Sequence, residues 1–373
     1  MDCHHFAAGR CRSCNWLEQP VADQVTAKER GVRELLAPWP ELSWLEPVRS
    51  REAGFRNKAK LVVSGSIEAP VLGILDGAGH GVDLSDCPLY PAALAAAFAP
   101  LTEFITRAAL APYDLMARRG ELKYLLVTVS PTGELMVRWV LRSTEPLARI
   151  KKHLPWLQAQ LPQLRVASLN IQPEHKAILE GEREILLTEV ETLPMELDGV
   201  RLQLRPQSFF QTNTEIAAAL YRQARSWVDD LAPSSAWDLY CGVGGFALHC
   251  AAPGRVMHGV EISAEAVQSA ITTATELGSV ATFEAGDATA WALAQPAAPE
   301  LVVVNPPRRG IGPELAAWLE TSVADAVLYS SCNAVTLARD LAAMPSLRPV
   351  KAVLLDMFPH TAHYEVLTLL RRG

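Results

Sequence analysis

The chain has 373 residues, of which 49% are hydrophobic and 20% charged, and its formal net charge is -7 at pH 7. These values describe an ordinary globular protein with room for two or three cored domains, and they exclude a disordered chain. The negative balance argues against wholesale electrostatic wrapping of nucleic acid, and no apolar run approaches the roughly 20 residues that span a bilayer.

The N-terminus, "MDCHHFAAGR", lacks the apolar core of a signal peptide, so a cytoplasmic address is expected. Cys3, Cys11 and Cys14 follow at once in the pattern C-x7-C-x2-C, and Cys87 stands far downstream in "DLSDCPLY". An odd total of seven cysteines at uneven spacing speaks against a disulfide framework and for metal binding or catalysis. Four thiolates suit zinc or an iron-sulfur cluster. One close pair plus two outliers, the last followed by Pro88, leans toward a 4Fe-4S cluster on Cys3, Cys11, Cys14 and Cys87, with zinc as the alternative. Since four cysteines complete the set, His4 and His5 are left out of it. The cluster segment is placed at residues 1–15 together with Cys87.

Residues 16–48 follow as a helical segment: "VADQVTAKERGVRELL" spaces Val21, Val25, Val32 and Leu35-Leu36 at roughly helical intervals before a Pro-rich link. From 49 to 195 the runs "KAKLVVSGSI", "VLGILD", "ELKYLLVTVS", "LMVRWVLRS", "RVASLNIQ", "HKAILEGE" and "REILLTEV" read as strands, with helices near 91–109 and 146–160. This pattern predicts an α+β central domain with a largely antiparallel sheet. Basic runs at "REAGFRNKAK" and "ARRGELKY", and later at "NPPRRG", form either a local basic surface or ordinary solvated charge.

The period changes in the last region, 196–373. "AWDLYCG", "VMHGVEI", "ATFEAGDA", "LVVVNPP", "AVLYSSC" and "KAVLLDMF" alternate with helical segments, which predicts an α/β domain with a doubly wound, parallel-type sheet. Ligands in such folds sit beyond the carboxyl ends of the strands. "WDLYCGVGGFALHCA" carries Gly242, Gly244 and Gly245 between a strand and a helix start. Glu261 ends the next strand about twenty residues on, where a carboxylate can accept bonds from two ribose hydroxyls. The third glycine of a dinucleotide fingerprint is absent. With Asp238 before the loop, the arrangement resembles the S-adenosylmethionine pocket of Rossmann-like methyltransferases; a tight turn without a ligand is the alternative. Asp287, in "EAGDA", is placed near the adenine.

"LVVVNPPRRG" then ends a strand in Asn305-Pro306-Pro307, which stiffens the turn and aims Asn305, Arg308 and Arg309 into the cleft. Amino-group methyltransferases place an aromatic residue after Asn-Pro-Pro; here Arg308 stands in its place, which directs attention to Cys332 at the end of the following strand. Free cysteine is among the most buried residue types, so packing is the first reading of Cys332 and nucleophilic chemistry the second.

"RPQSFFQTN", "DLYCGVGGF", "NPPRRG", "YSSCN" and "DMFPHTAHYEVLTLL" occur in that order, and together they resemble the uracil-C5 RNA methyltransferase family. The resemblance implies a Rossmann-like S-adenosylmethionine-dependent domain, Cys332 as nucleophile toward uracil C6, and Glu365 as the base that removes the C5 proton. It implies cofactor binding by Gln211, Tyr240, Glu261 and Asn305, the last where many relatives have aspartate. His360 and His363 are left as supporting residues. Some ribosomal RNA members of the family carry an iron-sulfur cluster, and in sister enzymes the segment after the cluster packs on the catalytic domain, as expected here for residues 16–48. The chain starts at the cysteine segment without a preceding RNA-binding barrel, so the shorter member acting on 23S ribosomal RNA is expected, with that RNA as partner and no membrane or obligate protein partner. The alternatives are a transfer RNA uracil-C5 methyltransferase and a non-catalytic iron-sulfur RNA-binding protein.

Overall fold

The computed structural model describes residues 1–176 and 178–373, and the chain divides into two compact units. One comprises Met1–Cys14 and Glu52–Pro194, the other Asn15–Arg51 and Met195–Gly373.

The first unit is built on a seven-stranded sheet in the order Gly81–Asp83, Pro70–Leu75, Lys58–Gly65, Leu122–Val129, Leu135–Leu141, Leu164–Ile171, Arg183–Leu186. All neighbours run antiparallel except Leu135–Leu141 and Leu164–Ile171. Between those two the chain crosses over through the helix Leu147–Gln160, as parallel neighbours require. Alternation of side chains along Lys58–Gly65 buries Ala59, Leu61 and Val63, which join Val127, Trp139, Phe104 and Ile150 in one core. "HKAILEGE" does not form the expected strand: among its described residues none is extended in the sheet, and Ala177 lies outside them. Its glutamate Glu180 is instead drawn to the buried Arg138, whose Nη1 lies 2.6 Å from Oε2.

The second unit carries an eight-stranded sheet in the order Ser43–Trp44, Leu347–Leu355, Glu365–Arg372, Ala326–Ser331, Leu301–Val304, Ser235–Leu239, Val256–Glu261, Thr282–Ala285. The strands from Ala326–Ser331 to Thr282–Ala285 pair in parallel, with helices such as Ala264–Leu277 and Gly312–Thr321 in the crossovers. Within this parallel-type sheet Glu365–Arg372 inserts antiparallel between Ala326–Ser331 and Leu347–Leu355. Its cause is local: no helix separates Leu355 from Glu365, so the chain can only return in the opposite direction. Its consequence is functional, because the first residue of the returning strand lies at the carboxyl ends of its neighbours. Helix Val21–Leu35 packs Val25 and Val32 into the same core as Leu239, Val302 and Val327.

Candidate active site

At the end of strand Ser235–Leu239 the chain turns through Tyr240, Gly242 and Gly244 with φ of 64°, 55° and 81°, conformations that glycine adopts freely and tyrosine does not. Gly245 has no room for a side chain: a Cβ there would lie 2.4 Å from the Tyr221 hydroxyl. Asp238 holds the turn from below, its Oδ2 accepting the Ala247 N–H at 2.8 Å. Burial above all pushes this carboxyl up to about 7. Glu261 closes the turn from the next strand, Oε2 accepting the Gly242 N–H at 3.2 Å and Oε1 the Ser263 N–H at 3.0 Å. Glu261 lines the cavity, and each oxygen can accept a further hydrogen bond. Tyr240 Oη meets Thr289 Oγ1 at 3.2 Å. Asp287 lines the same cavity and caps helix Ala288–Leu293, its Oδ1 accepting from Ala290 N–H at 2.9 Å.

The cavity has a volume of about 650 Å³ and is lined by Gln211, Tyr240, Glu261, Asn305, Cys332 and Glu365 among others. All six residues singled out from the sequence for the cofactor and the chemistry therefore share one space, of the size that holds a small-molecule ligand.

The turn after Leu301–Val304 is pinned onto the neighbouring helix Ala334–Ala342. Asn333 Nδ2 and Thr336 Oγ1 both donate to the Arg308 carbonyl, at 3.1 and 3.2 Å, and Arg339 Nη2 donates to that of Arg309 at 2.7 Å. Asp340 accepts the Ile311 N–H at 2.9 Å and the Tyr329 hydroxyl at 2.8 Å. The Arg308 guanidinium is thereby presented to the cavity, where Nη2 lies 2.8 Å from His363 Nδ1. Arginine can only donate, so His363 Nδ1 accepts and the ring is neutral. Burial and the adjacent guanidinium hold its pKa below the ordinary value.

Cys332 follows strand Ala326–Ser331, and Glu365 opens the antiparallel strand one step beyond the Ser331–Val366 pair. Register thus places the thiol and the carboxyl side by side. Glu365 is buried, 3% exposed, and burial raises its carboxyl to about 7. Ser330, two residues before the thiol on the same strand, donates to Glu365 Oε1 at 2.5 Å. The thiol of Cys332 is pushed up by burial and then by Glu365; Arg308 opposes both through its charge and a hydrogen bond. Cys250, by contrast, is a buried thiol outside the cavity, and Cys241 lines it at the glycine-rich turn with its thiol pushed well up by burial.

The loop that delivers Glu365 is anchored by the helix Val21–Leu35 through side-chain bonds that the sequence does not announce. Lys28 Nζ donates to Asp356 Oδ1 at 2.6 Å and to the Phe358 carbonyl at 3.0 Å, both charged side chains being fully buried. Gln24 Oε1 accepts the His360 N–H at 2.7 Å, at a residue held with φ of 64°. No local motif announces these bonds; only the burial of a lysine on the apolar face of a helix hints at them. Lys28→Met is expected to cost about 3–5 kcal/mol by stranding Asp356. Urea unfolding of that variant against Lys28→Met/Asp356→Leu checks this, since the double variant should recover most of the loss.

In the other unit, Cys3, Cys11, Cys14 and Cys87 line a cavity of about 190 Å³ with Arg56 and Tyr90. Burial and then the charges of the other three cysteines push the Cys14 thiol up to about 12, so the four lie within electrostatic reach of one another. These four thiols are a donor set that a multi-iron cluster would use, its cations stabilising thiolates that free cysteines there resist forming; among the described residues, the group whose ligand atoms lie within 4.8 Å of one another is His4, His5 and Asp86. His5 Nε2 and His4 Nε2 turn instead to Asp86, at 2.5 and 3.2 Å.

Residues 295–373 match the family model described as tRNA (Uracil-5-)-methyltransferase. Among curated proteins, the chain is 54% identical over 372 residues to the 23S rRNA (uracil(747)-C(5))-methyltransferase RlmC of Escherichia coli O157:H7, covering 99% of each chain. The protein of the same name from Shigella boydii matches at the same identity and coverage. Among solved structures, the Pyrococcus abyssi tRNA (uracil-54, C5)-methyltransferase in complex with S-adenosyl-L-homocysteine has a TM-score of 0.81 at 24% identity, covering 96% of this chain and 85% of that one. That likeness shows the fold, a Rossmann-like methyltransferase fold. Identity above half over the whole length shows more: the chain is a methyltransferase and belongs to the RNA uracil-C5 methyltransferase family.

Proposed function

We propose that this enzyme forms 5-methyluridine in 23S ribosomal RNA from S-adenosylmethionine, through a covalent adduct on Cys332. The observation that carries the reading is the pairing of Cys332 with a buried, high-pKa carboxyl, Glu365, in the cavity that also holds the glycine-rich turn and Glu261. The choice of 23S RNA rests on the relatives named for it, which match over 99% of their length. No helix among the described residues is long and apolar enough to cross a membrane.

Carbon-5 of uracil is a poor nucleophile. Addition of the Cys332 thiolate to C6 moves electron density onto C5 and O4, splitting one difficult displacement into easier steps. Arg308, hydrogen-bonded to the thiol, favours its ionised form against burial and Glu365. S-adenosylmethionine would supply the electrophilic methyl, which C5 would take up as the S–CH3 bond breaks and the sulfonium leaves as the neutral thioether. Glu365 then removes the proton that C5 still carries, the C5–C6 double bond re-forms, and the thiolate leaves. Glu261 would hold the ribose of the cofactor, Tyr240 would pack beside it, and Gln211 and Asn305 would fix the rest with amide hydrogen bonds. The target base must leave its stack to reach the cavity.

Cys3, Cys11, Cys14 and Cys87 would hold a 4Fe-4S cluster; in a reaction that needs no net electron transfer, it would brace the first unit or help hold the RNA. Anaerobic purification should yield brown protein containing iron and sulfide, and a colourless, zinc-loaded protein would contradict the assignment.

Methyl transfer from labelled cofactor to unmodified 23S and transfer RNA tests the substrate. Label is expected as 5-methyluridine in 23S RNA; incorporation into transfer RNA alone, or cofactor binding without transfer to either, would select one of the two alternatives. Glu261→Ala is expected to weaken cofactor binding at least about tenfold, the loss of charge-assisted hydrogen bonds of about 1.5–3 kcal/mol, measured by calorimetry.

A further inference from the structure

The first unit carries a hairpin tip that its own packing does not explain. Leu115 and Met116, 47% and 93% exposed, stand at its apex, followed by the exposed Arg118 and Arg119. The tip is built, not loose. Asp114 N–H donates to the Arg119 carbonyl at 2.8 Å, and Asp114 Oδ1 accepts the N–H groups of Met116 and Ala117, both at 2.8 Å. Arg118 is held with φ of 54°, and a Cβ at Gly120 would meet the Pro112 carbonyl oxygen at 2.1 Å. At its base Tyr113 Oη meets His175 Nδ1 at 3.0 Å, and the ammonium of Lys123 lies 4.8 Å from the centre of the Tyr113 ring.

Unpaired positive charge, which among the described residues the unit also carries at the exposed Arg10, Arg12 and Arg183, is joined at the tip by exposed apolar surface. Arg107, Arg142, Arg149 and Arg165 each pair with a glutamate of the same unit at 2.5–2.7 Å. Arg118 and Arg119 have no ion pair among the described residues, and the one acidic side chain inside the tip, Asp114, is taken up by backbone N–H groups. Two unneutralised guanidiniums beside two apolar side chains, all on a braced turn, ask for a partner that alternates negative charge with flat apolar surface. A looped, single-stranded RNA segment has that chemistry: phosphates for the guanidinium forks and unstacked base faces for Met116 and Leu115.

We propose that the tip formed by residues 113–120 is an RNA-docking element that grips a looped segment of the substrate RNA and takes no part in the chemistry. The inference rests on the RNA-methylation reading above and assigns that reading a binding surface. Its test compares the full-length parent with Arg118→Gln/Arg119→Gln and with Met116→Ser, on an unmodified 23S RNA fragment at several salt concentrations. The double variant is expected to raise KM for RNA about tenfold with kcat within twofold of the parent, and to reduce the slope of log affinity against log salt by about 1–2, one phosphate contact per arginine. Met116→Ser should raise KM several-fold and leave the slope unchanged, because it removes an apolar contact only. Unchanged KM and unchanged slope in both variants overturn the inference, including the case where the tip holds an acidic protein surface. Should the parent itself not methylate the fragment, the methylation reading fails, and gel-shift binding of the same RNA by parent and double variant still decides the tip.

Discussion

Cys332→Ala is expected to abolish methyl transfer, by about 10⁴-fold or more, while the protein stays folded and binds its cofactor as before. The size follows from chemistry: without the thiolate, C5 of uracil must attack the methyl group as an unactivated carbon, and the other thiol lining the cavity, Cys241, is buried at the glycine-rich turn and held protonated by that burial. Stability should change little, because the side chain is half-buried and small. Serine at the same position should do no better, since its hydroxyl is far from ionised at neutral pH. Single-turnover transfer measures the loss, and cofactor calorimetry with a thermal melt shows whether it is confined to chemistry. An alanine variant that methylates as well as the parent would remove the covalent route.

Glu365→Gln is expected to fail later. Thiolate addition and methyl transfer need no base on C5, so the variant should accumulate RNA covalently attached to protein while turnover falls by about 10²–10⁴-fold, the usual contribution of a general base. Parent activity should rise with pH to a plateau above about 7, where the carboxyl is ionised, and the glutamine variant should lose this limb. Stability supplies an independent check on the same side chain. Its carboxyl is raised in the folded protein from the ordinary 4.5 to about 7, chiefly by burial. Below pH 4.5 both folded and unfolded forms are protonated and no cost arises. Between 4.5 and 7 the unfolded chain releases the proton and the folded chain keeps it, so stability is lost as pH rises, by about 3 kcal/mol in all. Glu365→Gln should therefore be more stable than the parent above pH 7 and equal to it near pH 4, which thermal melts across that range measure.

What the sequence revealed and what it hid follow a physical line. The glycine-rich turn, the strand-final Glu261, the Asn-Pro-Pro turn and Cys332 were legible because each is a local pattern at the end of a strand, and parallel topology alone brings such ends together. Glu365 was legible only through family resemblance, and its surroundings not at all. Its place depends on a strand that returns antiparallel, and only that register sets it beside Cys332 and within reach of Ser330. The braces from Lys28 and Gln24 join residues 328 and 336 positions apart, beyond the reach of any pattern in one stretch. The strand expected over 175–182 is absent among the described residues there for a related reason. Its hydrophobic alternation was weak, and Glu180 answers the buried charge of Arg138. The hairpin at 113–120 was visible only as a basic run, since its exposed methionine and the missing carboxylate partners are properties of the folded surface.

The central claim is that Cys332 bonds to C6 of the target base. A 23S RNA fragment carrying 5-fluorouridine at the target tests it most directly, because a fluorine on C5 cannot be removed as a proton and the adduct cannot collapse. With cofactor present, one protein–RNA adduct is expected, stable to denaturant, carrying the transferred methyl and mapping by mass spectrometry to the peptide that contains Cys332. Attachment at another residue, or methylation of the unfluorinated fragment with no adduct on the fluorinated one, would contradict the account.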